Sequence, residues 1–364
     1  MLNPRHDIPV VIPAYEPDER LIMFLKTLRK NSISPIILVN DGSSSVCNQI
    51  FRKADKLSDV VLVHKHNYGK GRALKTAFQY VLKHYPECVG VITADSDGQH
   101  TVPCLTKIMK QMIKNPDTFI LGVRNFNLRR IPWRSRLGNK LTRWLLYYIT
   151  GTKFRDTQTG LRGIPRSFLK NCLTLSGDRF EFETQVLLSV AGKLPIIEVP
   201  IKTIYDSVQN HQTHFNPLKD SIKIYRCLCY PFAKYMVSSF SSFVVDISLF
   251  SIFLCWTFNR LNASVSIVLA TVMARIISII YNYILNYKVV FHSSCSIPQS
   301  AVRYLVLAML QMFLSAFCTT GLHILLPSVI VVGLKICVDI VLFLIGYFIQ
   351  RKYVFSVKPT WAKI

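Results

Sequence analysis

Residues 89–100 read VGVITADSDGQH, an apolar stretch that ends in two acidic residues, Asp95 and Asp97. Val89–Thr93 has the length and composition of a buried strand, and the polar residues follow it directly. Two carboxylates at positions i and i+2 after a strand can share a divalent cation and the diphosphate that it bridges, and Gln99 adds a neutral oxygen. The segment therefore predicts a site for Mg²⁺ or Mn²⁺ at Asp95, Asp97 and Gln99.

Short apolar runs alternate with amphipathic segments on both sides of this stretch. The predicted strands are Ile8–Ile12, Pro35–Val39, Val60–Val63, Val89–Thr93 and Phe119–Val123. The predicted helices lie near Asp18–Lys30, Lys70–Lys83 and Pro103–Lys114. Strict alternation of strand and helix predicts an α/β, Rossmann-like fold with a mostly parallel sheet covered on both faces. In such sheets the ligand binds at the carboxyl ends of the strands.

Two more polar segments follow predicted strands and are candidates for binding a nucleotide. Pro13, Tyr15 and Glu16 follow the first strand, and Asp41 follows the second. Asp41 can accept hydrogen bonds from a base or a ribose, the alternative being an Asp that starts a turn. Lys70 opens a predicted helix, where it either clamps a phosphate or remains a solvated charge. We expect all five residues to lie near one bound donor.

The composition changes near residue 233. The chain has 44 Lys+Arg and 20 Asp+Glu, of which only ten and two lie from Lys234 onward. Four apolar stretches follow, at residues 235–258, 263–287, 304–326 and 329–349, each close to the ~20 residues of a spanning helix. Basic residues flank them on one side, whereas Arg260 is the only Lys or Arg in the loops on the other. The positive-inside rule predicts a multi-pass membrane protein with the first domain and both termini in the cytosol, and we expect no signal peptide.

These patterns predict two domains joined by a short segment. Residues 1–215 form the α/β domain, residues 216–233 an amphipathic segment at the membrane interface, and residues 234–358 an all-α transmembrane domain. The formal net charge of +24 would suit nucleic acid, but no nucleic-acid-binding motif is present. Basic segments beside a bilayer attract anionic lipid. We therefore expect a lipid bilayer as partner and no nucleic acid.

The transmembrane domain contains a weak internal repeat. Tyr283–Phe291 parallels Tyr347–Phe355, and Lys234-Tyr235 and Arg303-Tyr304 open the two halves in the same way. Aromatic and basic residues at cytosolic helix ends account for part of the match. The shared Lys-x-Val-Phe ending and the similar spacing favour a duplicated two-helix unit.

Four charged residues interrupt the apolar helices of this domain: Asp246, Arg275, Lys335 and Asp339. Charges inside spanning helices are costly and normally face one another or a polar pathway. We expect them to form one polar cluster at mid-depth. Such a cluster either ties the helices together or admits a lipid headgroup that crosses the bilayer.

The strand-end motifs resemble those of glycosyltransferase family 2, which has the GT-A fold, over about Ile8–Arg226. More narrowly, they are similar to the polyprenyl-phosphate sugar transferases of the dolichol-phosphate mannose synthase type. The matching segments are Pro13–Pro17, Val39–Ser43, Ala94–His100, Gly122–Arg124, Arg134–Asn139, Asp156–Arg162 and Arg179–Glu183. The membrane half resembles the GtrA-like family, four-helix proteins implicated in moving lipid-linked sugars, at Lys234-Tyr235, Asp246, Asn282–Phe291 and Gln350–Phe355.

The resemblance implies inverting transfer of a hexose from a nucleotide-sugar to polyprenyl phosphate at the cytosolic membrane face. It implies metal at Asp97 and Gln99, with Asp95 near the sugar-nucleotide, and gives Asp95, Asp97 and Arg124 the catalytic roles. The donor is of the UDP-glucose type or GDP-mannose; the segment around Tyr205 departs from the mannose synthase pattern and leaves the sugar open. The membrane domain is expected either to flip the product or only to anchor the enzyme.

The acceptor phosphate requires cations in the site. A phosphate monoester has a second pKa of ~6 and is already anionic near pH 7, so it needs positioning more than a strong base. Guanidinium groups match phosphate geometry, and the candidates are Arg124, Arg134, Ser135 and His214, the family pattern favouring Arg124 and Ser135. A solvated or lipid-facing Arg and a packed His are the alternatives.

Two other function classes compete with this interpretation. One is a lipid-sugar transporter whose first domain only binds nucleotide, which the intact Asp95, Asp97 and Gln99 disfavour. The other is a processive polysaccharide synthase, which needs a Gln-x-x-Arg-Trp motif. The nearest string, Lys140–Trp144, lacks the Gln and comes early in the chain. The oligomeric state is left open between a monomer and a homo-oligomer.

Overall fold

The computed structural model describes residues 8–124, 133–202, 217–258, 262–293, 295–326 and 328–355. The chain divides into two units. The first ends at Leu228 and the second begins at Cys229, and Tyr148–Gly151 also belong to the second unit.

The first unit is built on one seven-stranded sheet. The strands are β1 Val10–Ala14, β2 Ile36–Asn40, β3 Val60–Val63, β4 Gly90–Thr93, β5 Phe119–Arg124, β6 Arg162–Pro165 and β7 Ile196–Ile201. Their order in the sheet is β3-β2-β1-β4-β6-β5-β7. β6 runs antiparallel to both of its neighbours, and the other pairs are parallel. The predicted α/β fold with a mostly parallel sheet is confirmed.

Seven α-helices of the described chain begin before residue 217. They are α1 Glu19–Lys30, α2 Asn48–Asp55, α3 Lys70–His84, α4 Val102–Lys114, α5 Trp133–Thr150, α6 Arg166–Thr174 and α7 Glu181–Val190. α1 begins where the Asp18 side chain accepts a hydrogen bond from the Arg20 N–H at 2.9 Å, as expected of an N-cap. Its side chains Leu21, Leu25 and Leu28 are fully buried with β1 in the main core.

The antiparallel strand β6 determines which residues surround the end of β4. Arg162, the first residue of β6, pairs with Thr93, the last residue of β4. The Thr93 hydroxyl donates to the Gly160 carbonyl oxygen at 2.7 Å. The segment that leads into β6 therefore lies beside Asp95, which follows β4 two residues later.

The second unit contains four long apolar helices, and the predicted set of four spanning helices is confirmed. They are α8 Pro217–Phe258, α9 Ala263–Leu285, α10 Ile297–Leu325 and α11 Val331–Ile349, and each contains a segment long and apolar enough to cross a membrane. α8 continues through Pro231 and has its first residues in the first unit. α10 begins before residue 304, the predicted start, because Pro298 lies in its first turn, where proline favours a helix.

The internal repeat coincides with a local distortion of the helices. α9 and α11 each continue into a π-helical turn, Asn286–Val290 and Gln350–Val354, at equivalent positions of the repeat. The Asn286 amide donates to the Gln350 side-chain oxygen at 3.1 Å, and both side chains are buried. The rings of Phe291 and Phe355 stack with centroids 5.0 Å apart. The two halves of the repeat thus contact each other through equivalent residues.

Candidate active site

Asp95 lies between the side chains of Lys70 and His100 at the carboxyl end of β4. The Lys70 ammonium is 2.7 Å from Oδ1, and His100 Nε2 is 3.2 Å from Oδ2. Burial opposes ionisation of Asp95, but the charge of Lys70 and the hydrogen bond with His100 outweigh it and hold the pKa of Asp95 well below its ordinary value. Gly160 packs so closely on this carboxylate that any Cβ there would collide with it. Asp95 is therefore a fixed anion with both oxygens in use.

Asp97 has a different environment two residues later. Its Oδ1 accepts the Gln99 backbone N–H at 3.0 Å. Burial and the negative charge of Asp95 raise the pKa of Asp97 above its ordinary value. Among the described residues no Lys, Arg or His forms an ion pair with Asp97. This carboxylate would gain most from a bound cation.

The donor set at Asp97 and Gln99 fits a hard divalent cation. A carboxylate and an amide oxygen are suitable ligands, whereas both Asp95 oxygens already accept from Lys70 and His100. No group of three or more His, Cys, Asp or Glu side chains in the described ranges is arranged to hold a metal. A cation here would thus complete its coordination with substrate phosphate and water, as Mg²⁺ commonly does.

Lys70 joins the end of β4 to α7. Its ammonium lies 3.0 Å from Glu183 Oε2 as well as 2.7 Å from Asp95. Burial lowers the pKa of Lys70, but the two carboxylates outweigh it and raise the pKa above its ordinary value, so Lys70 remains charged. Arg162, 2% exposed, donates to the Glu183 carbonyl oxygen at 2.7 Å and to the Thr159 carbonyl oxygen at 2.9 Å.

Asp41 and Glu16 bind the protein's own loops. Asp41 is 2% exposed and accepts hydrogen bonds from His64 Nδ1 at 2.7 Å, from the Tyr68 N–H at 3.1 Å and from the Gly69 N–H at 2.7 Å. These contacts fix the backbone directly before Lys70. Glu16 Oε1 accepts the Ser44 N–H at 2.6 Å and so joins the loops after β1 and β2. In this structure both carboxylates position loops, and a contact with the nucleotide stays a prediction.

The other two residues predicted after β1 occupy the same edge of the sheet. Pro13 lies within β1, paired in register with Val39 of β2. Tyr15 directly follows β1 and is partly buried. The parallel pairing of β1 and β2 places Pro13, Tyr15, Glu16 and Asp41 at one edge of the sheet. The hydrogen bonds from the backbone before Lys70 to Asp41 hold Lys70 at the same edge.

Arg124, at the carboxyl end of β5, is held by a carboxylate that the sequence analysis did not select. Its Nε and Nη2 lie 2.7 and 3.0 Å from the two oxygens of Asp156, which is fully buried. This bidentate geometry fixes the guanidinium plane. The side chains of Arg134 and Ser135, in the first turn of α5, and His214 lie outside the described residues.

Sequence reasoning missed Asp156, Glu183 and His100 as members of the site. All three stand inside segments that carried the family resemblance, so a signal was available. Their partners could not be read from the sequence, because Lys70 and Glu183 are 113 residues apart and meet only through the packing of α3 and α7.

The four charged residues of the membrane helices lie in two pairs, one in each half of the repeat. Asp246 Oδ2 is 3.2 Å from Arg275 Nη2, and the Ser278 hydroxyl donates to Asp246 at 2.8 Å. Lys335 is 3.0 Å from Asp339, which also accepts the Ser315 hydroxyl. No hydrogen bond or ion pair joins the two pairs within the described helices, and a single polar cluster of all four residues stays a prediction.

Two known families match separate parts of the chain, and the boundary between them agrees with the change in composition near residue 233. Residues 10–172 match the model of glycosyl transferase family 2, and residues 234–355 match the GtrA/DPMS transmembrane domain. The first match covers β1 through α6, and the second covers the four apolar helices from Lys234 onward.

Three archaeal proteins are similar to the first part of the chain. An uncharacterized protein of Methanocaldococcus jannaschii is 32% identical over 55% of this chain and 83% of its own. The UDP-N-acetylglucosamine–dolichyl-phosphate N-acetylglucosaminyltransferase of Methanococcus voltae is 27% identical over 54% of this chain and 86% of its own. Glycosyltransferase AglJ of Haloferax volcanii is 23% identical over 60% of this chain and 70% of its own.

These matches confirm the predicted GT-A class and the GtrA-like membrane domain. The strand-end carboxylates lie in the part that matches the transferase family, and four apolar helices form the part that matches the membrane family. The chain is therefore a glycosyltransferase, a multi-pass membrane protein that belongs to glycosyl transferase family 2 and carries a GtrA/DPMS transmembrane domain.

Proposed function

We propose that the enzyme transfers a hexose from a nucleotide-sugar to polyprenyl phosphate at the cytosolic face of the membrane, with inversion at the anomeric carbon. The observation that carries the proposal is the fixed arrangement of Lys70, Asp95 and Asp97 at the end of β4 in a chain that also has spanning helices. A relative named as a dolichyl-phosphate sugar transferase supports a lipid phosphate as acceptor.

The donor is proposed to bind at the carboxyl ends of β1, β2 and β4. Pro13, Tyr15, Glu16 and Asp41 border this edge, and the charged Lys70 ammonium supplies a cation for the donor phosphates. Mg²⁺ or Mn²⁺ held by Asp97 and Gln99 would neutralise the charge that develops on the departing diphosphate. UDP-N-acetylglucosamine joins UDP-glucose and GDP-mannose as a candidate donor because of the named relative.

The acceptor is proposed to approach from the side of β5. Arg124, locked by Asp156, holds the lipid phosphate together with Arg134, Ser135 and His214. One phosphate oxygen attacks the anomeric carbon, the bond from that carbon to the diphosphate oxygen breaks, and the nucleoside diphosphate leaves. No proton must be removed from the nucleophile, since a phosphate monoester is already ionised near pH 7.

The domain arrangement completes the proposal. Residues 1–215 catalyse transfer, residues 216–233 lie at the interface, and residues 234–358 hold the enzyme in the membrane with both termini in the cytosol. A role of the membrane domain in flipping the product belongs to the same proposal.

The test is transfer by the purified full-length protein. Labelled UDP-glucose, UDP-N-acetylglucosamine and GDP-mannose are each offered with polyprenyl phosphate and, as the matched control, with polyprenol. We expect one donor to give a glycolipid with inverted anomeric configuration, only with the phosphate and only when Mg²⁺ or Mn²⁺ is present. Transfer to polyprenol, formation of a polymer, or undiminished activity in chelator would contradict the proposal.

A further inference from the structure

One ammonium is shared by two carboxylates at the carboxyl end of β4. Lys70 Nζ lies 2.7 Å from Asp95 Oδ1 and 3.0 Å from Glu183 Oε2. In the described part of the chain no other Lys or Arg forms an ion pair with either carboxylate. Asp97, two residues beyond Asp95, is a third acidic residue, and the charges of Asp95 and Lys70 both act on it. Lys70 is therefore the cation that balances this group of carboxylates.

The Lys70 ammonium can move while the backbone around it stays in place. Lys70 is the first residue of α3, and the Gly69 N–H directly before it donates to Asp41 at 2.7 Å. A lysine carries its charge on a flexible four-carbon stem, and this side chain is 18% exposed. Glu183 is held differently, because Arg162 donates to its backbone carbonyl oxygen at 2.7 Å. The ammonium is thus the mobile partner of the pair.

A divalent cation would meet this ammonium at the same carboxylates. The proposed metal ligands Asp97 and Gln99 follow Asp95, whose side chain is 28% exposed and open to solvent. Two cations that approach one partly buried group of carboxylates repel each other, and the repulsion is stronger there than in bulk water. The metal therefore binds well only if another anion attracts the Lys70 ammonium. Phosphate oxygens are suitable partners for a lysine.

We propose that Lys70 competes with the divalent cation for the carboxylates at the end of β4, and that a nucleoside diphosphate relieves the competition by drawing the ammonium onto its phosphates. The inference rests on the proposed function, which supplies the metal ligands and the donor. Without nucleotide, Lys70 neutralises the carboxylates and the metal binds weakly. With nucleotide, the ammonium and the metal both face phosphate charge. Metal and donor are then bound together.

The alternative is that Lys70 only ties α3 to α7, and Lys75 provides the matched control. Lys75 also lies on α3, is 11% exposed, and contacts Asp178 at 3.1 Å and the Gly177 carbonyl oxygen at 2.8 Å. It therefore ties α3 to the segment before α7 without touching Asp95 or Glu183. Loss of a structural tie should have the same effect at either lysine, whereas loss of competition should appear at Lys70 alone.

The test is Mn²⁺ binding to the full-length protein in detergent without nucleotide, followed by the EPR signal of free Mn²⁺. Lys70→Met removes the ammonium and adds only a thioether, a poor ligand for Mn²⁺. We expect its Kd for Mn²⁺ to be at least tenfold lower than that of the wild type. Lys70→Arg, which keeps a cation, and Lys75→Met should both remain within twofold of the wild type.

A second measurement examines the nucleotide. Labelled UDP and GDP are each offered with and without Mn²⁺, and the Kd is measured by equilibrium dialysis. Because linkage is reciprocal, the factor by which Mn²⁺ tightens nucleotide binding equals the factor by which the nucleotide tightens Mn²⁺ binding. For the nucleotide that binds, we expect this factor to be at least threefold larger in the wild type than in Lys70→Met. An equal or smaller factor in the wild type would contradict the release of Lys70 by phosphate.

Equal Mn²⁺ affinity in the wild type and Lys70→Met, or equal tightening in Lys75→Met, would overturn the proposal. If Lys70→Met misfolds, Lys70→Met with Glu183→Gln removes the ammonium together with one of its carboxylates and should still tighten Mn²⁺ binding at least threefold. Adding Asp97→Asn should abolish the tight binding, and its persistence would place the metal elsewhere and overturn the proposal.

Failure of this inference can be told apart from failure of the proposed function. The Mn²⁺ measurement uses neither a sugar donor nor an acceptor lipid. Absence of sugar transfer with every donor would therefore count against the proposed function alone. Metal-dependent transfer combined with equal Mn²⁺ affinities would count against the competition by Lys70 alone.

Discussion

Asp97 combines a raised pKa with a place next to the fixed anion Asp95. A carboxyl group whose pKa is higher in the folded protein contributes stability below its unfolded pKa, near 3.8, and loses it as the pH rises through the folded value. At neutral pH without metal, the ionised Asp97 therefore opposes folding. The carboxylate that the proposed reaction needs most is thus one whose negative charge destabilises the folded protein when no metal is bound.

The first prediction is that Asp97→Asn stabilises the metal-free enzyme. At pH 7 in chelator its Tm should exceed that of the wild type, because the asparagine removes a destabilised charge. The difference should shrink as the pH falls toward 3.8 and vanish below it, where the carboxyl is protonated in both the folded and the unfolded state, and it should narrow when Mg²⁺ is added. Thermal unfolding at both pH values measures this, with the exposed Asp55→Asn as control. A lower Tm for Asp97→Asn at pH 7 would refute the argument.

The same substitution should remove catalysis. A metal that stabilises transition-state charge by about 3 kcal/mol is worth about 100-fold in rate, and we expect at least that loss from Asp97→Asn. Initial rates of sugar transfer under saturating Mg²⁺ provide the measurement. Activity close to that of Asp55→Asn would exclude Asp97 as the metal ligand.

Arg124 allows the acceptor and donor sites to be separated. Its guanidinium is fixed by the buried Asp156. Arg124→Ala and Asp156→Asn should therefore both raise the KM for polyprenyl phosphate, and Asp156→Asn does so because it no longer holds the Arg124 side chain in place. We expect a rise of about tenfold, corresponding to one charge-assisted hydrogen bond of about 1.4 kcal/mol, with little change in nucleotide Kd. Equal damage to KM and Kd would mean that the pair supports the donor site or the fold.

Among the elements, β6 has the greatest effect on the site and was the hardest to predict. Its four residues, Arg162–Pro165, include a charge, a glycine and a proline, so neither alternation nor β-propensity marks it as a strand. It forms because β4 and β5 bury it between them. By contrast, β1, β2 and β4 were predictable from their apolar runs, and so were the carboxylates after them. The pairing of Lys70 with Glu183 could not be predicted, because it depends on tertiary packing.

The segment that leads into β6 packs against the Asp95 carboxylate through Gly160. Gly160→Ala should displace the Asp95 carboxylate, since the added Cβ would collide with it. We expect at least a tenfold loss of kcat with a smaller effect on stability. Gly321→Ala in α10, where a Cβ meets no neighbour within 4 Å, is the matched control. Wild-type kcat in Gly160→Ala would show that the position of Asp95 is not critical.

For the whole molecule, the open question is orientation. The distribution of Lys and Arg predicts that the loop between α8 and α9 faces away from the cytosol. A cysteine at Asn262 should therefore react with an impermeant thiol reagent on intact cells, and one at Ser296, between α9 and α10, only after permeabilisation. The wild type, whose ten cysteines set the background, is the control. The reverse labelling pattern would place the transferase site outside the cytosol.

The contact between Asn286 and Gln350 has a consequence for the history of the membrane domain. Residues that touch their own counterparts in a repeat lie on its axis, as they do in the isologous interface of a two-fold dimer. The stacked Phe291 and Phe355 lie on the same axis. A chain with a single hairpin could have closed this interface with a second copy of itself. Once both hairpins were fused, each half could diverge separately, so that Lys335 in one half contacts both Ser315 and Asp339 while Arg275 in the other half pairs with Asp246.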